Sequence, residues 1–340
     1  MKKLFIILCS IYLISTGCSK KKDLIPTSTI GSSGIAKMDS LNRFELLSVN
    51  FLPYYIKQII IENNNNTGWF ATETGGLFKK SGTTWTQYLT SNSDIPSNRC
   101  NSMVLDNNTL YICTPNGFAV FDGNNWTNFN SINSGLIYDN LNHVAIDING
   151  DLWMVSYDKI YKYVNGIIVP YVLGNQPSYI YDIAVNQNGK KFLITDIGLI
   201  SFDSSGENLY SGLMTHSFEI GIDNNNFLWI VGPGGLQKFN GKEFINYDPP
   251  VDAPFAKSFF AIDFDSYNNI WIGSSGSSYN GALLQFTPHN AMWRYLMPIS
   301  KSPFDSYSIT EIFIDNLGNK WISSVASSTI SIYNNGGVKY

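Results

Sequence analysis

The segment DINGDLWMVSYDKIYKY, residues 147–163, shows the pattern that decides the fold. Asp147 ends one apolar segment, and an Asn-Gly pair follows at 149–150. Such residues accept the positive φ of tight turns between antiparallel strands. Residues 152–155 form a second apolar segment around Trp153, and residues 160–163 form a third after a short loop. The segment therefore predicts consecutive antiparallel β-strands joined by short turns.

The same pattern recurs along the chain at a nearly constant interval. The position of Trp153 aligns with six others, which are Trp69, Tyr111, Phe192, Trp229, Trp271 and Trp321. Position 321 lies 252 residues after position 69, so the six intervals average 42. Units of about 40–45 residues with four strands each are typical of propeller blades. We predict an all-β, seven-bladed β-propeller of four-stranded antiparallel blades over residues 42–340.

Each predicted unit begins with a strand that ends in an acid or an Asn. These terminal residues are Glu62, Asp106, Asp147, Asn186, Asp223, Asp263 and Asp315. The seventh unit is short, because only residues 337–340 remain for its fourth strand. Residues 43–47 precede the first unit, and Phe44 lies where an aromatic of a fourth strand is expected. We therefore predict that this N-terminal segment, alone or beside residues 337–340, completes the last blade and removes an exposed strand edge.

The N-terminus resembles a bacterial lipoprotein signal. Lys2 and Lys3 precede an apolar run at 4–14 that is too short to span a bilayer as a helix, and Ser15-Thr16-Gly17-Cys18 follows like a lipobox. We expect a signal peptide at 1–17, a lipidated Cys18, and a flexible tether over 18–41. Ser19 matches the pattern of outer-membrane sorting, so the expected location is the outer membrane, periplasmic or surface-exposed. An ordinary secretory signal is the alternative.

Composition limits the partners and cofactors of the domain. The formal net charge is -4, and the predicted propeller, residues 42–340, is without basic runs, which argues against nucleic acid. The three His residues lack metal-ligand spacing, and no nucleotide or dinucleotide motif occurs. We expect a monomer without metal or cofactor. Cys100 and Cys113 would lie in an oxidising compartment, where a disulfide and two separate buried thiols are the alternatives.

The unit resembles the two-component regulator propeller repeat. Residues 315–321, DNLGNKW, match the centre of that repeat, and residues 117–129 match its Gly-aromatic and Trp segments. The resemblance covers residues 42–340 and implies the propeller fold and an exported location. In that family such propellers commonly form the sensor half of hybrid histidine kinases, but no kinase activity is expected of this chain.

Propeller ligands usually bind at one mouth of the central channel, where the longer loops lie. Those loops are residues 89–100, 130–142, 248–257 and 296–308, which include Tyr138. The residue just before each first strand should line the same mouth; these residues are Gln58, Ser102, His143, Asp182, Glu219, Phe259 and Glu311. Arg99, Tyr179 and Tyr181 lie near them in sequence. This ring is a candidate site for a polar ligand such as a sugar or a cation, and the alternative is a ring of solvated polar side chains.

Three functions remain open from the sequence. The first is a membrane-anchored binding or sensing module for a glycan or an envelope protein. The second is a lyase or hydrolase that uses His143 with Asp182, Glu219 or Glu311, since a His-carboxylate pair is the minimum for acid-base chemistry. The third is a structural scaffold. The aromatics that recur in every unit are expected to pack between blades, which leaves non-periodic ones such as Tyr138 and Tyr179 for ligand stacking.

Overall fold

The structure is a computed structural model that describes residues 35–37, 44–48, 54–63, 66–249, 258–275, 281–296, 308–324 and 329–338. For 35–37 and 44–48 it describes the backbone. Within these residues all regular secondary structure is β, and none of the described segments forms a helix long and apolar enough to cross a membrane. The lipobox, and most of the loops 248–257 and 296–308, lie outside the described residues.

Two short strands precede the repeated units, β1 (Ile35–Lys37) and β2 (Phe44–Ser48). Blades one to three contain β3 (Ile56–Ile61), β4 (Thr67–Thr72), β5 (Leu77–Ser81), β6 (Thr84–Tyr88), β7 (Ser102–Asp106), β8 (Thr109–Thr114), β9 (Gly117–Phe121), β10 (Trp126–Phe129), β11 (His143–Ile146), β12 (Leu152–Ser156), β13 (Lys159–Val164) and β14 (Ile167–Tyr171). Blades four and five contain β15 (Ile180–Val185), β16 (Lys191–Thr195), β17 (Gly198–Asp203), β18 (Gly206–Tyr210), β19 (Glu219–Ile222), β20 (Leu228–Gly232), β21 (Gly235–Phe239) and β22 (Phe244–Tyr247). Blades six and seven contain β23 (Ser258–Phe264), β24 (Ile270–Ser275), β25 (Leu283–Thr287), β26 (Met292–Leu296), β27 (Ile309–Ile314), β28 (Lys320–Ser324) and β29 (Thr329–Tyr333).

The seven sheets form a closed ring, which confirms the predicted seven-bladed propeller. Within each blade, consecutive strands pair antiparallel. The first strands of neighbouring blades contact one another around the whole ring, and β27 of the last blade contacts β3 of the first. The first strand of each blade is therefore the inner strand, next to the axis, and the fourth is the outer strand.

Blade seven is completed by the N-terminal segment, as predicted. Strand β2 pairs antiparallel with β29, with Phe44 opposite Tyr333. Upstream of it, β1 pairs parallel with β26, the outer strand of blade six, and places Ile35 opposite Trp293. The expected tether over 18–41 thus contains a strand of the propeller. This addition was not predicted, because three residues are too short to show a strand pattern.

The core consists of apolar layers between adjacent blades, and the recurring aromatics fill them. Trp229 of blade five, for example, is fully buried against Phe259 and Phe286 of blade six. Its indole nitrogen donates to Asp223 Oδ2 at 2.8 Å, while Asp223 Oδ1 accepts the turn amides of residues 225 and 227. One carboxylate therefore fixes both the turn and the Trp. The expectation that periodic aromatics pack between blades is confirmed.

Two details of the sequence analysis are corrected or settled by the structure. In blade six the acid of the first turn is Asp265, not Asp263 as predicted, and Asp265 accepts the indole N–H of Trp271. Asp263 lies within the inner strand, opposite Trp271. Cys100 and Cys113 are free and fully buried. They belong to different inter-blade clusters, Cys100 between blades one and two and Cys113 between blades two and three, so each thiol faces away from the other.

Candidate ligand-binding site at the channel mouth

The loops that connect one blade to the next lie on the same face of the propeller as the turns between second and third strands. We call this face the mouth. One layer below it, each inner strand contributes one residue at the same register position, two residues before the one that opposes the Trp-like residue. This ring, called the belt, consists of Gln58, Ser102, His143, Asp182, Glu219, Ala261 and Glu311. Six of the predicted ring residues lie at this register position, whereas Phe259 is fully buried in the core, and ligand binding by the ring stays a prediction.

The error in blade six arises because Asp263 was taken for the turn acid in place of Asp265, which moves the predicted position by two residues, from Ala261 to Phe259.

Four of the inner strands also contain a β-bulge next to the belt. In the inner strands of blades one, four, six and seven, two residues oppose one on the neighbouring strand. The extra residues are Lys57, Tyr181, Phe260 and Thr310. A bulge re-aims a side chain and is common beside binding sites. Here the bulges add four residues to the mouth directly above the belt, and a single inserted residue leaves no periodic signal in the sequence.

The belt side chains join each blade to the next by accepting a backbone N–H from the neighbouring inner strand. The described links run from Met103 N–H to Gln58 Oε1 (2.6 Å), Val144 N–H to Ser102 Oγ (3.3 Å), Ile220 N–H to Asp182 Oδ2 (2.9 Å) and Ile59 N–H to Glu311 Oε1 (3.1 Å). The backbone of Ile262 bonds Glu219 in the same way. Most of the belt is therefore engaged in inter-blade contacts, unlike the ring of solvated side chains that was the alternative expectation.

The belt differs at the boundary between blades three and four. His143 Nδ1 lies 3.1 Å from Asp182 Oδ1, and the amide of Ile183 is bonded by its neighbour Asp182 instead of by His143. The His143 side chain is 37% exposed, and that of Asp182 is 9% exposed. A buried carboxylate on Nδ1 orients an imidazole and leaves Nε2 for another partner. The partly exposed His143 can therefore offer Nε2 to a ligand at the mouth.

Four non-periodic tyrosines surround this boundary and form what we call the tyrosine cluster. Ring centroids are 5.9 Å apart for Tyr138 and Tyr157, 6.1 Å for Tyr157 and Tyr179, and 4.9 Å for Tyr179 and Tyr181. Tyr138, Tyr157 and Tyr181 are 42%, 44% and 39% exposed. The cluster runs from the loop before blade three to the inner strand of blade four. Neighbouring rings meet edge to face or tilted, at interplanar angles of 86°, 77° and 52°, so the cluster presents aromatic faces and edges in a row.

Tyr157 occupies this surface at a conformational cost. Its φ is +48°, in the left-handed region that a bulky side chain rarely adopts. The turn holds it there, because Tyr157 C=O accepts the N–H of Ile180 and its hydroxyl accepts a bond from Asn140 Nδ2 at 3.1 Å. Backbone strain of this kind is concentrated at functional sites. Tyr157 was not among the predicted site residues, although its position in a turn, outside the periodic pattern, was a usable signal.

The other side of the mouth is charged and internally paired. Arg99 and Lys57 both bond Glu73, at 2.8 and 3.2 Å, and Arg99 Nε donates to Asn101 Oδ1. Between the two sides, Phe218 stacks on Phe260 with centroids 4.5 Å apart. The predicted site residues thus divide into three groups, of which Glu219 and Glu311, below the mouth, form the third. His143, Asp182, Tyr179 and Tyr181 come together, whereas Arg99 and Gln58 are occupied by other parts of the protein.

Below the mouth, acidic side chains of blades five to seven approach one another. Burial, followed by the negative charges of Glu311, Asp182 and Asp263, raises the pKa of Glu219 well above its ordinary value. Burial likewise raises the pKa of Glu311 strongly, although its bond from Ile59 N–H opposes this. Burial raises the pKa of Asp263 to about 7. Asp263 was missed as a channel residue because the sequence offers two acids two positions apart.

No described group of three or more His, Cys, Asp or Glu side chains has the geometry to hold a metal ion.

Comparison with solved structures shows the same architecture in other proteins. Two extracellular domains from B. thetaiotaomicron, of a putative hybrid two-component system and a putative one-component system, match with TM-scores of 0.70 and 0.68 at 19% and 16% identity. Each match covers 86% of this chain but 42% and 40% of those chains, so this chain spans about two fifths of their length. Virginiamycin B lyase from Staphylococcus aureus matches with a TM-score of 0.67 at 15% identity, over 85% of this chain and 98% of that one. No family model and no curated protein matches the sequence. At these identities the likeness shows the fold alone.

Proposed function

We propose that this protein is an exported, membrane-anchored binding and sensing module that takes its ligand at the mouth, on the tyrosine cluster. The observation that carries the proposal is the run of four tyrosine rings beside the His143–Asp182 pair. Fold similarity to extracellular domains of putative two-component proteins, together with the repeat resemblance, supports a sensing role. The chain itself is not proposed to be a kinase.

A glycan is the ligand class that suits this surface best. Exposed tyrosines present large, rigid, amphipathic faces, on which the apolar face of a sugar ring can lie at little entropic cost. The Nε2 atom of His143 and the tyrosine hydroxyls then supply hydrogen bonds to sugar hydroxyls. The extended shape of the cluster favours an oligosaccharide over a single sugar.

The test is a thermal-shift screen against oligosaccharides, followed by calorimetry on any hit, because a ligand that binds only the folded state raises Tm. Tyr179→Ala and Tyr138→Ala should each weaken binding about tenfold or more while the protein stays folded. Tyr267→Ala is the matched control, since Tyr267 is 87% exposed and lies in a turn on the opposite face. If no glycan binds but an envelope protein is captured, and Tyr179→Ala abolishes that capture, the site is a protein-docking surface. If Tyr267→Ala weakens binding as much as the cluster variants do, the mouth is not the site.

The membrane anchor is the second part of the proposal. It is supported by the lipobox-like segment ending at Cys18. An acylated Cys holds a soluble domain on a membrane through the burial of its acyl chains. The Cys18→Ala variant, expressed in a Gram-negative host, should move from the membrane fraction to the soluble fraction and lose incorporation of labelled palmitate. Retention of the label in this variant would contradict the proposal.

An enzyme is the second candidate function, and the His143–Asp182 contact is the observation that favours it. A His held by a carboxylate can act as a general base. The similarity of the fold to that of virginiamycin B lyase also supports an enzymatic function. To distinguish the two functions, a ligand that binds is incubated with the protein, and its mass is then measured by mass spectrometry. A mass change that His143→Ala abolishes, while Tm is retained, would make the protein an enzyme; an unchanged ligand supports the binding module.

A further inference from the structure

We propose that Glu219, Asp263 and Glu311 form a proton-dependent contact that joins blades five, six, seven and one, and that weakens as the solution becomes more alkaline. This carboxylate cluster lies below the mouth, and the inference does not depend on the identity of a ligand. It concerns the closure of the ring itself.

The geometry places one acid at each of three successive blade boundaries. Glu219 accepts the backbone N–H of Ile262, Asp263 Oδ2 accepts that of Ile314 at 2.6 Å, and Glu311 Oε1 accepts that of Ile59 at 3.1 Å. The last of these bonds spans the boundary between the final blade and the first. The side chains that connect these blades are therefore also the ones that repel one another when all are ionised.

The groups that face the cluster give little compensating positive charge. Asp182 of blade four faces Glu219, and Asp265 faces Asp263. Among the described residues, Lys320 is a cation whose charge acts on Asp263 and opposes the rise of its pKa. On the mouth side, Tyr55 lies near Glu311, and His143 is engaged with Asp182. The three acids of the cluster are thus faced by two further carboxylates, and the charge of Lys320 acts on Asp263.

The sign of the pH dependence follows from the raised pKa values. An acid whose pKa is higher in the folded state binds protons there that the unfolded chain has already released. For Asp263, the folded state binds more protons than the unfolded chain from the ordinary pKa of an Asp up to its folded pKa of about 7. The pKa values of Glu219 and Glu311 are raised in the same direction. Stability is therefore lost as pH rises through this range, by up to about tenfold per pH unit and group in the folding equilibrium constant.

The chain contains its own neutral version of these links. In blades one and two, Gln58 and Ser102 occupy the belt position that Glu219 and Glu311 occupy in blades five and seven, and they accept the amides of Met103 and Val144. Gln58 shows that a glutamine can make this contact. Glu219→Gln, Glu311→Gln and Asp263→Asn should therefore keep the acceptor while removing the charge.

The first experiment measures Tm of the wild-type protein and of these variants from pH 5 to pH 9. We expect the wild-type Tm to fall with rising pH, and the fall to shrink in Asp263→Asn and in Glu219→Gln, which become more stable than wild type above pH 8. Glu243→Gln, which changes an exposed acid just before the outer strand of blade five, is the matched control and should follow the wild type. A flat wild-type profile, or variants that follow the wild type throughout, would overturn the proposal. If one variant fails to fold, the other two carry the comparison.

The second experiment locates the effect by amide hydrogen exchange, corrected for the intrinsic dependence on pH. The amides of Ile59, Ile262 and Ile314 should lose protection between pH 6 and pH 9. The amides of Met103 and Val144, linked to neutral side chains, should keep theirs. Equal loss in both sets would mean that the whole ring responds, and the assignment to this cluster would be wrong.

Discussion

At the scale of single residues, the acid of the first turn and the aromatic of the second strand act as a pair. In blades three, five, six and seven an Asp lies six residues before a Trp and accepts its indole N–H at 2.8–3.0 Å. Blade four has Asn186 and Phe192 at the two positions. Asn186 Oδ1 still accepts two turn amides, but there is no indole to bond. The turn amides are thus bonded by Oδ1 of either an Asp or an Asn, whereas Oδ2 of the Asp accepts the indole N–H of a Trp in these four blades.

This pairing predicts the outcome of a double-mutant cycle in blade five. Asp223→Asn places an NH2 group against the buried indole N–H of Trp229, so two donors face each other and the free energy of unfolding should fall by about 2 kcal/mol. In the Trp229→Phe background the same substitution should cost at least about 1 kcal/mol less, because blade four tolerates this combination. Denaturant unfolding of the four proteins measures both costs. Equal costs in the two backgrounds would show that the carboxylate acts on the turn alone.

The sequence predicted the periodic residues well and the non-periodic ones incompletely, for a physical reason. Packing between blades repeats, so the residues responsible for it repeat, and the Trp-like positions gave the number of blades directly. A spacing of six residues to the Trp would also have selected Asp265 over Asp263. The conformation of Tyr157 has no repeated counterpart, and its contact with Tyr179 depends on how two loops meet. Contacts of this kind occur once in the chain, so a repeating sequence pattern does not predict them.

At the scale of strands, the bulges and β1 are the features that pattern analysis did not predict. A bulge inserts one residue into a strand and shifts the alternation of its side chains by one position, and the inner strands are too short for such a shift to be recognised in the hydrophobic pattern. The pairing of β1 with β26 has three residue pairs, and that of β2 with β29 has five. Only the second supplies a strand that blade seven otherwise lacks. The two N-terminal strands should therefore differ in their contribution to stability.

Two truncated chains test this difference. A chain that begins at residue 43 lacks β1 and should lose little, roughly 1 kcal/mol or less. A chain that begins at residue 50 also lacks β2, which leaves the edge of β29 unpaired and open to association with other chains. We expect it to lose at least about 3 kcal/mol, or about 6 °C in Tm, and to aggregate. Similar Tm values for both chains would mean that β2 is not needed for closure.

At the scale of the whole molecule, ring closure makes every blade depend on two neighbours. The inner strands contact around the full circle, including β27 with β3. Each apolar layer lies between two blades, so opening one boundary exposes side chains of both. A repeat protein with free ends unfolds from its terminal units, but a closed ring has no terminal unit. We therefore expect the propeller to open as one cooperative unit at neutral pH.

The two buried thiols report on this directly. Cys100 lies between blades one and two, and Cys113 lies between blades two and three. Burial raises the pKa of Cys100 to about 12 and raises that of Cys113 further, so neither is a reactive thiolate in the folded protein. In a chain without residues 1–23, which removes Cys9 and Cys18, a thiol reagent should modify both at the same slow rate, set by ring opening. The two rates, measured on separate peptides by mass spectrometry, should rise together when β2 is deleted. A much faster reaction of Cys100 alone would show that blade one separates from blade two while the rest of the ring stays closed, and the propeller would then be a set of locally opening boundaries.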